Sequence, residues 1–394
     1  MPWSETSAMD QKALFIRDWL AHRHSVSELC SRYNVSRKTG HKWIKRFLEH
    51  GPDGLMERSH AIHHVHNRTD PRVEAALMQL RRKHRSWGAK KLLHVLGEKH
   101  PDWDLPGRST VCDMLTRHGM VTKRPKRRLV GHPGKPGATA DAPNTLWSAD
   151  FKGQFRTGDK VYCYPLTVTD NYSRYLLACQ AMPDTSLEPV KTVFTRLFKE
   201  YGLPERIRTD NGTPFSAYTL GRLSRLSAWW VRLGVLPDLI EPGNPQQNGK
   251  HERMHKTLKD ETTRPPAGNS RAQQRKFNAF IQEYNNERPH ESLDMKRPAQ
   301  LYKHSTRSMP DKLPEIEYPD HFEKRYVSAT GGIKWKCDWL NISSVLIGEY
   351  VGLEEIDDGL WDVYYGQLKL GRLHERKGKI EDHLGRLTRM PRKV

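Results

Sequence analysis

Cysteine is scarce and unpatterned in this chain of 394 residues: Cys30, Cys112, Cys163, Cys179 and Cys337 are odd in number and widely spaced, and no CxxC pair occurs. A disulfide framework and a zinc knuckle are therefore not indicated, and a reducing cytosol is the expected setting. Long apolar runs are lacking too. No stretch of eighteen apolar residues is found, so neither a transmembrane helix nor a membrane partner is expected. The opening MPWSETSAMDQKALF has no basic stretch followed by an apolar one, so it does not read as a signal peptide. Acid is in short supply: 46 Asp and Glu face 66 Lys and Arg, a formal net charge of +20. What is there suffices for folding. An apolar fraction of 36% with 11 Trp argues against wholesale disorder, and the length suits about two to four domains.

The positive excess points to a polyanionic partner, with solubility as the plainer reading. Residues 1–143 hold 27 Lys and Arg against 14 Asp and Glu, so about two thirds of the excess lies in roughly the first third of the chain. Within it, residues 10–49 read as three helices: about Met9 to His22, with Leu14, Ile16, Trp19 and Leu20 on the apolar side; about Ser25 to Tyr33; and about Ser36 to His50, with Trp43, Phe47 and Leu48 on the core side. Ser25 followed by Glu28 fits a capping box, Ser36 suits an N-cap, and Gly51-Pro52 ends the third helix. Short helices joined by a tight turn match a helix-turn-helix, whose second helix enters the major groove. Its first turns here carry Arg37, Lys38, His41 and Lys42, the candidate DNA contacts of a domain over residues 1–54. An ordinary three-helix bundle with a basic face is the alternative.

Residues 55–70 read as a linker. Its His60, His63, His64 and His66 lack a cysteine pair at zinc-finger spacing, so a solvated segment is expected. Residues 71–121 repeat the helical pattern: Pro71 suits the first position of a helix to about Lys83, and Gly88 to Gly97 and Ser109 to His118 follow. This predicts a second helix-turn-helix-type unit, with Arg85, Lys90 and Lys91 toward DNA. Residues 122–143 hold six Lys and Arg, four Pro and three Gly, the composition of an extended linker. Lys123, Arg124, Lys126, Arg127 and Arg128 there would track a phosphate backbone.

Residues 144–305 change to mixed α/β. NTLWSADFKGQF reads as a strand, VYCYPLTVTDNYSRYLLACQAM as two strands turning at Asp170-Asn171, and SLEPVKTVFTRLFKEYG as a helix ended by Gly202. A short strand running to Asp210, an amphipathic helix over Leu220–Leu233, another strand in VLPDLIEP, a helix entered through Asn244-Pro245 and a last long helix in RAQQRKFNAFIQEYNNERPH complete it. Residues 318–380 carry short β runs between Gly, Asn and Asp turns, predicting a small all-β barrel or sandwich, before a basic tail at 381–394.

Three acids stand out from these settings. Asp150 interrupts a strand beside Trp147, Asp210 ends a strand in TDNG, and Glu252 lies on the polar side of the helix QQNGKHERMHKTLK. In an open sheet, functional groups gather at strand ends and adjoining helix termini. At about 4 Å, two unit charges repel by about 4 kcal/mol at an effective dielectric near 20, so converging carboxylates call for cations or shared protons. Oxygen-only ligands select Mg²⁺ or Mn²⁺, and two such ions suit in-line displacement at phosphorus. Asn248, His255, Lys256 and Lys259 fall near one face of the Glu252 helix and are candidates to hold the DNA strand. Each acid has a plainer reading. Asp150 could be a solvated strand end, Asp210 a turn former, and Glu252 a partner of Lys256. Glu241 rivals Glu252, Asp170 reads as a hairpin residue, and Arg288 and His290 either touch DNA or cap the last helix.

The blocks WSADFKG, VTDNYSRYLLA, RTDNGTPF, PGNPQQNGKHERMHKTLK and YNNERPHESL resemble, in order, the integrase core of bacterial insertion-sequence transposases, a class related to retroviral integrases. The resemblance covers about residues 144–300. It implies a ribonuclease-H-like fold and a DDE metal triad, with WSADF supplying Asp150, TDNG Asp210 and KHERMH Glu252. Forty-one residues separate Asp210 from Glu252, more than in many members, and the insert is expected to lengthen the Leu220–Leu233 helix. The HHCC zinc module of viral integrases is not evident; helix-turn-helix units take its place.

The resulting expectation is a nucleoid-associated bacterial cytoplasmic DNA transposase. It would bind terminal inverted repeats, cleave the 3′ ends with two Mg²⁺ or Mn²⁺ ions and join them to target DNA, as a dimer or larger assembly. A helix-turn-helix regulator with an inactive core and a ribonuclease-H-like nuclease are the alternatives.

Overall fold

A computed structural model describes residues 7–57, 68–121, 139–241 and 244–382. The chain divides into two compact units, Met1–Arg68 and Thr69–Val394. The linker histidines of 58–67, most of the basic linker with Lys123, Arg124, Lys126, Arg127 and Arg128, and all but the first two residues of the basic tail lie outside the described residues.

The first unit contains helices α1 (Ala8–Leu20), α2 (Val26–Arg32) and α3 (Arg37–His50). Their starts are set locally: Ser7 with Asp10, and Ser25 with Glu28, form capping boxes, and Ser36 Oγ accepts the Thr39 N–H at 3.1 Å. A Cβ on Gly40 would stand 2.4 Å from Cys30 Sγ, so only glycine lets α2 and α3 approach this closely. The core is Phe15, Ile16, Leu29, Cys30, Trp43, Ile44 and Leu55. Leu20 and Leu48, expected inside, are 49% and 68% exposed. Leu20 is the last residue of α1, and the chain turns back at Gly51 so that Leu55 takes the inner place instead.

The second unit opens with α4 (Pro71–Lys83), α5 (Ala89–Lys99) and α6 (Arg108–Arg117) around Leu77, Trp87, Leu92, Leu96 and Val111. A mixed sheet follows, built from β1 (Leu146–Phe151), β2 (Phe155–Arg156), β3 (Tyr162–Asp170), β4 (Leu176–Met182), β5 (Arg206–Thr209) and β6 (Leu236–Leu239). β3 pairs antiparallel with β1, β2 and β4, whereas β1, β5 and β6 run parallel. Alternation along β1 sends Trp147 and Ala149 into a core with α7 (Leu187–Tyr201) and α8 (Arg225–Arg232). Cys163, Leu176 and Cys179 pack instead against Met254 and Leu258 of α9 (Gly249–Thr262) and Phe277 and Phe280 of α10 (Ser270–Gln282). Helices therefore cover both faces, and α11 (Pro298–Leu301) closes the segment.

The helix expected over Leu220–Leu233 is shorter. A 3₁₀ turn at Leu220–Arg222 contains Gly221 at φ 65°, and α8 starts afresh because Ser224 Oγ accepts the Ser227 N–H. The extra residues before Glu252 therefore do not lengthen that helix. The long helix expected at RAQQRKFNAFIQEYNNERPH ends its α-helical part at Gln282 and continues as a π-turn, Glu283–Glu287.

The C-terminal region is β-rich, as expected, but forms no barrel. Five antiparallel strands run in the order β13 (Lys379–Asp382), β12 (Leu368–His374), β11 (Leu360–Tyr365), β10 (Tyr350–Asp357) and β7 (Glu323–Tyr326), and β8 (Gly332–Trp335) pairs only with β9 (Asp338–Asn341). Among the described residues no pairing joins β13 to β7. The inner face is buried against α8 through Ala228 and Val231, so this sheet finds its cover on the core and need not close on itself. No helix among the described residues is long and apolar enough to cross a membrane.

Candidate active site

β1 lies where the sheet changes from antiparallel to parallel pairing. Its register with β5 sets Leu146 beside Arg206 and Ser148 beside Arg208; continued two residues, it brings Asp150 level with Asp210. Both acids thus sit at the carboxyl ends of neighbouring parallel strands, where open α/β sheets hold ligands. Asp210 is exposed and accepts the Gly212 N–H at 3.1 Å. A Cβ on Gly212 would stand 3.1 Å from Asp210 Oδ2, so glycine keeps the carboxylate uncrowded. Glu252 is exposed in the first turn of α9. Arg208 braces that helix's lead-in: its Nη2 donates to Asp238 Oδ2 at 2.7 Å and its Nη1 to the Gln247 carbonyl at 3.1 Å.

Asp150 is two-thirds or more enclosed, and its carboxyl is pushed up to about 7, first by burial and then by the negative charges of Asp210 and Glu252. Asp150 therefore feels the charge of both other acids. Lys152, whose own proton is loosened by burial and by Lys259, supplies positive charge on the same rim.

Beneath Asp150 lies a seam that the sequence reading missed. Thr167, opposite Asp150 on β3, donates its hydroxyl proton to the Asp150 carbonyl at 3.0 Å. The same oxygen stands 2.8 Å from His251 Nε2 and 2.6 Å from His255 Nε2, and Thr169 Oγ1 is 2.7 Å from His251 Nδ1. A hydroxyl has one proton to give. All three Thr167 contacts are satisfied together only if both Nε2 atoms carry hydrogen and donate to Thr167. His251 Nδ1 is then bare and accepts from Thr169. Burial pushes His251 down to about 3, and burial together with His251 and Lys152 pushes His255 down to about 2, so both rings are neutral. The bare Nδ1 of His255 faces Asp150 Oδ2 at 3.8 Å. The available signal was HxxxH at i and i+4 on α9, with Thr167 and Thr169 at i and i+2 on one face of a central strand.

Asp150, His251 and His255 each offer a ligand atom within 4.8 Å of the others. Both His251 nitrogens and Nε2 of His255 are committed to threonines, however, which leaves carboxylate oxygen as the chief donor. That donor chemistry, together with the mutual repulsion at Asp150, fits Mg²⁺ or Mn²⁺.

Of the candidate DNA contacts, Arg37, Lys38, His41 and Lys42 are exposed on the first turns of α3, and Arg85, Lys256 and Lys259 are exposed as well. Asn248 and His255, expected to face DNA, are instead buried at 4% and 6% exposure. The inward face of α9 is fixed by Met254 and Leu258, and these two polar residues turn in with it. Lys90 is exposed and pairs with Glu291 at 3.2 Å, and Lys91 is half-buried. Asp170 is fully buried, accepting the Asn144 N–H at 2.9 Å and the Ser173 N–H at 2.7 Å as a hairpin brace. Glu241 accepts from Asn244 Nδ2 at 3.0 Å, and Arg288 pairs with Glu261 at 3.0 Å.

With this geometry in view, the family resemblances are consistent. Models described as integrase core domain match residues 140–245 and 233–298, and homeodomain-like domain models match residues 6–55 and 39–115. The chain carries an integrase core behind helix-turn-helix homeodomain-like domains, and it resembles insertion-element proteins. Its relatives include insertion-element proteins. The uncharacterized 39.2 kDa protein of insertion element IS476 from Xanthomonas euvesicatoria is 28% identical over 71% of this chain and 85% of its own length. The uncharacterized 31.7 kDa protein of IS407 from Burkholderia multivorans is 27% identical over 63% of this chain and 87% of its own length. Among solved structures, a chain of the simian T-cell lymphotropic virus intasome in complex with PP2A regulatory subunit B56 gamma aligns at 15% identity and a TM-score of 0.37, covering 74% of this chain and 97% of that one.

Proposed function

We propose that this chain is a DNA transposase. Its helix-turn-helix units bind the terminal inverted repeats of an insertion sequence, and its core cleaves each 3′ end and joins it to target DNA. The observation that carries the reading is the parallel register of β1 with β5, which brings Asp150 level with Asp210 at neighbouring strand ends, with Glu252 near enough for its charge to bear on Asp150. Asp150, Asp210 and Glu252 would hold divalent cations, Mg²⁺ or Mn²⁺ and two in number. Such ions, when bound, activate the attacking oxygen and stabilise the leaving one.

The protein's own residues then position and neutralise. Asp150 and Asp210 are fixed by adjacent parallel strands, and Glu252 by the seam that docks α9 on β3. Lys152, Lys256 and Lys259 would hold the scissile strand's phosphates at the rim. In the first step a water oxygen forms a bond to phosphorus and the bond to the 3′ oxygen breaks. In the second, the freed 3′-hydroxyl attacks a target phosphodiester and the target's own 3′ oxygen leaves. No side chain need bond to DNA. Both ends must be handled together, so the working form is at least a dimer.

The test is strand nicking and joining on DNA bearing the element's ends, with Mg²⁺ or Mn²⁺. Asp210→Asn and Glu252→Gln should each lower both steps by more than a hundredfold while leaving end binding intact. Full strand transfer by either variant refutes the assignment.

A further inference from the structure

On the other flank of α9 lies a second cluster of like charge. A cavity of about 530 Å³ is lined by Lys91 from α5, Arg174 from the β3–β4 turn, Lys250 and Arg253 from α9, and Arg288 and His290 beyond the π-turn. Glu291 also lines it, and the buried Asp170 bears on Arg174 and Lys250. Glu261 is taken by Arg288, and Glu291 by Lys90.

The surroundings show how unusual this is. The helices α4 and α5 are fastened to the core by matched pairs: Lys83 with Glu287 at 2.9 Å, His84 with Glu283 at 2.6 Å, and Arg297 with Glu98. In contrast, no ion pair among the described residues holds Lys91, Arg174, Lys250 or Arg253. Burial together with the positive charges of Arg288 and Arg253 brings Lys91 down to about 8. The Arg174 Nε and the His290 Nε2 are both buried without a hydrogen-bond partner. Arg174 sits at φ 65°, in the left-handed region, where the turn between β3 and β4 points its side chain to the cavity. Crowded cations and the orphaned Arg174 Nε donor around one cavity describe a site suited to an anion.

We propose that this cavity is a receptor for the phosphodiester backbone of the DNA strand that passes over Asp150, Asp210 and Glu252, gripping phosphates next to the cleaved bond. The inference rests on the proposed function for the identity of that strand. Glu252 stands between Lys250 and Arg253 in sequence, so one helix turn presents the acid to one flank and the bases to the other. A strand lying on the acids therefore meets the bases within a nucleotide or two. Guanidinium groups suit this ligand because their fork of donors matches phosphate oxygens. The docking of α5 completes the cavity through Lys91, so the grip also ties the second helical unit to the strand being cut.

The test is end-DNA binding by the full chain without divalent cations, so that it is independent of cleavage, measured across salt concentrations. Arg174→Gln with Lys250→Gln should flatten the slope of log affinity against log salt by about 0.9 per lost contact, about two in all. Arg174→Lys should restore part of the affinity, and the exposed Lys250→Gln alone should flatten the slope by about one even if the double variant fails to fold. Single neutral methylphosphonates walked along the strand locate the contact. At one or two positions beside the cleaved bond they should weaken the parent but not the double variant. An unchanged salt slope, or equal methylphosphonate losses in both proteins, overturns the proposal. Inorganic phosphate at millimolar concentration that raises the parent's Tm but not the variant's, alongside equal methylphosphonate losses, would reassign the cavity to a free anion. If Asp210→Asn still cleaves DNA, the cutting chemistry is misassigned, yet these binding results stand by themselves.

Discussion

Replacing Asp150 by Asn removes one negative charge without changing the side chain's shape, and its effect on stability can be worked out. In the free protein the Asp150 carboxyl holds its proton up to about pH 7, against an ordinary 3.8. Between those values the folded state keeps a proton that the unfolded chain has released. Stability therefore falls as pH rises through that window, and the penalty is complete above about 7. At about 1.4 kcal/mol per pH unit, the span corresponds to at most about 4 kcal/mol. The side chain is only 20% exposed, so solvent screening trims this modestly. His251 and His255 act in the opposite sense. Held neutral when folded, they withdraw stability as pH falls below 6.5, but they do so in both proteins and cancel in the difference. In EDTA at pH 8, Asp150→Asn should thus unfold at higher denaturant than the parent, by about 2–4 kcal/mol, with the gap closing toward pH 4. Adding Mg²⁺ or Mn²⁺ should reverse the order. A ligand that binds only the folded state adds about 2.7 kcal/mol at a hundred times its Kd, and the variant has lost a ligand oxygen. Urea titrations at several pH values, with and without metal, read both effects. Parallel pH profiles for the two proteins, or equal stabilisation by the cation, would refute the picture of three acids sharing one site.

Other perturbations have equally definite outcomes. Thr167→Val leaves the Nε2 hydrogens of His251 and His255 without an acceptor, so it should cost about 2–4 kcal/mol in a chemical melt and slow strand transfer by loosening Glu252. Asp170→Ala orphans the buried N–H groups of Asn144 and Ser173 and should lower stability by about 3 kcal/mol, with cleavage lost only as folding is lost. In the first unit, Phe15→Ala should cost about 3–5 kcal/mol and abolish repeat binding, whereas Leu48→Ser should stay within about 0.5 kcal/mol of the parent in thermal melts.

Features decided within a few residues were legible in the sequence. The Ser25–Glu28 capping box, Ser36, Pro71 and the Asp170 hairpin depend on neighbours that the sequence prints side by side. Asp150 and Asp210 stood out because they fall near strand ends and because their flanking blocks resemble a known core; that their strands pair in parallel emerges only in the fold. What escaped depends on distant partners. Whether His255 faces DNA or the sheet is decided by Met254 and Leu258 against β4 and by Thr167 on β3, more than eighty residues away. Lys90 and Lys91 are adjacent and equally basic, yet one meets Glu291 and the other the cavity wall. The alternation that marks strands in the last region reports which face is buried but not whether the edges meet. The Leu220–Leu233 stretch is amphipathic enough for one helix, and only the left-handed Gly221 and the capping choice of Ser224 divide it.

These distant contacts explain why the docking seam of α9 is polar. Apolar side chains alone would let a helix settle in neighbouring registers with little loss. His251 instead bonds two threonines spaced two residues apart on β3, through its two ring nitrogens, and only one register satisfies both. A slip of one residue turns an α-helix by about 100°. It would carry Arg253 toward the place of Glu252, setting a cation where the proposed site has its third carboxylate, and would strip the basic cavity of one of its walls. Because the rings are neutral, the seam achieves this without burying a charge. The buried HxxxH pair therefore acts as a register lock, keeping the acid flank and the basic flank of one helix each on its own side.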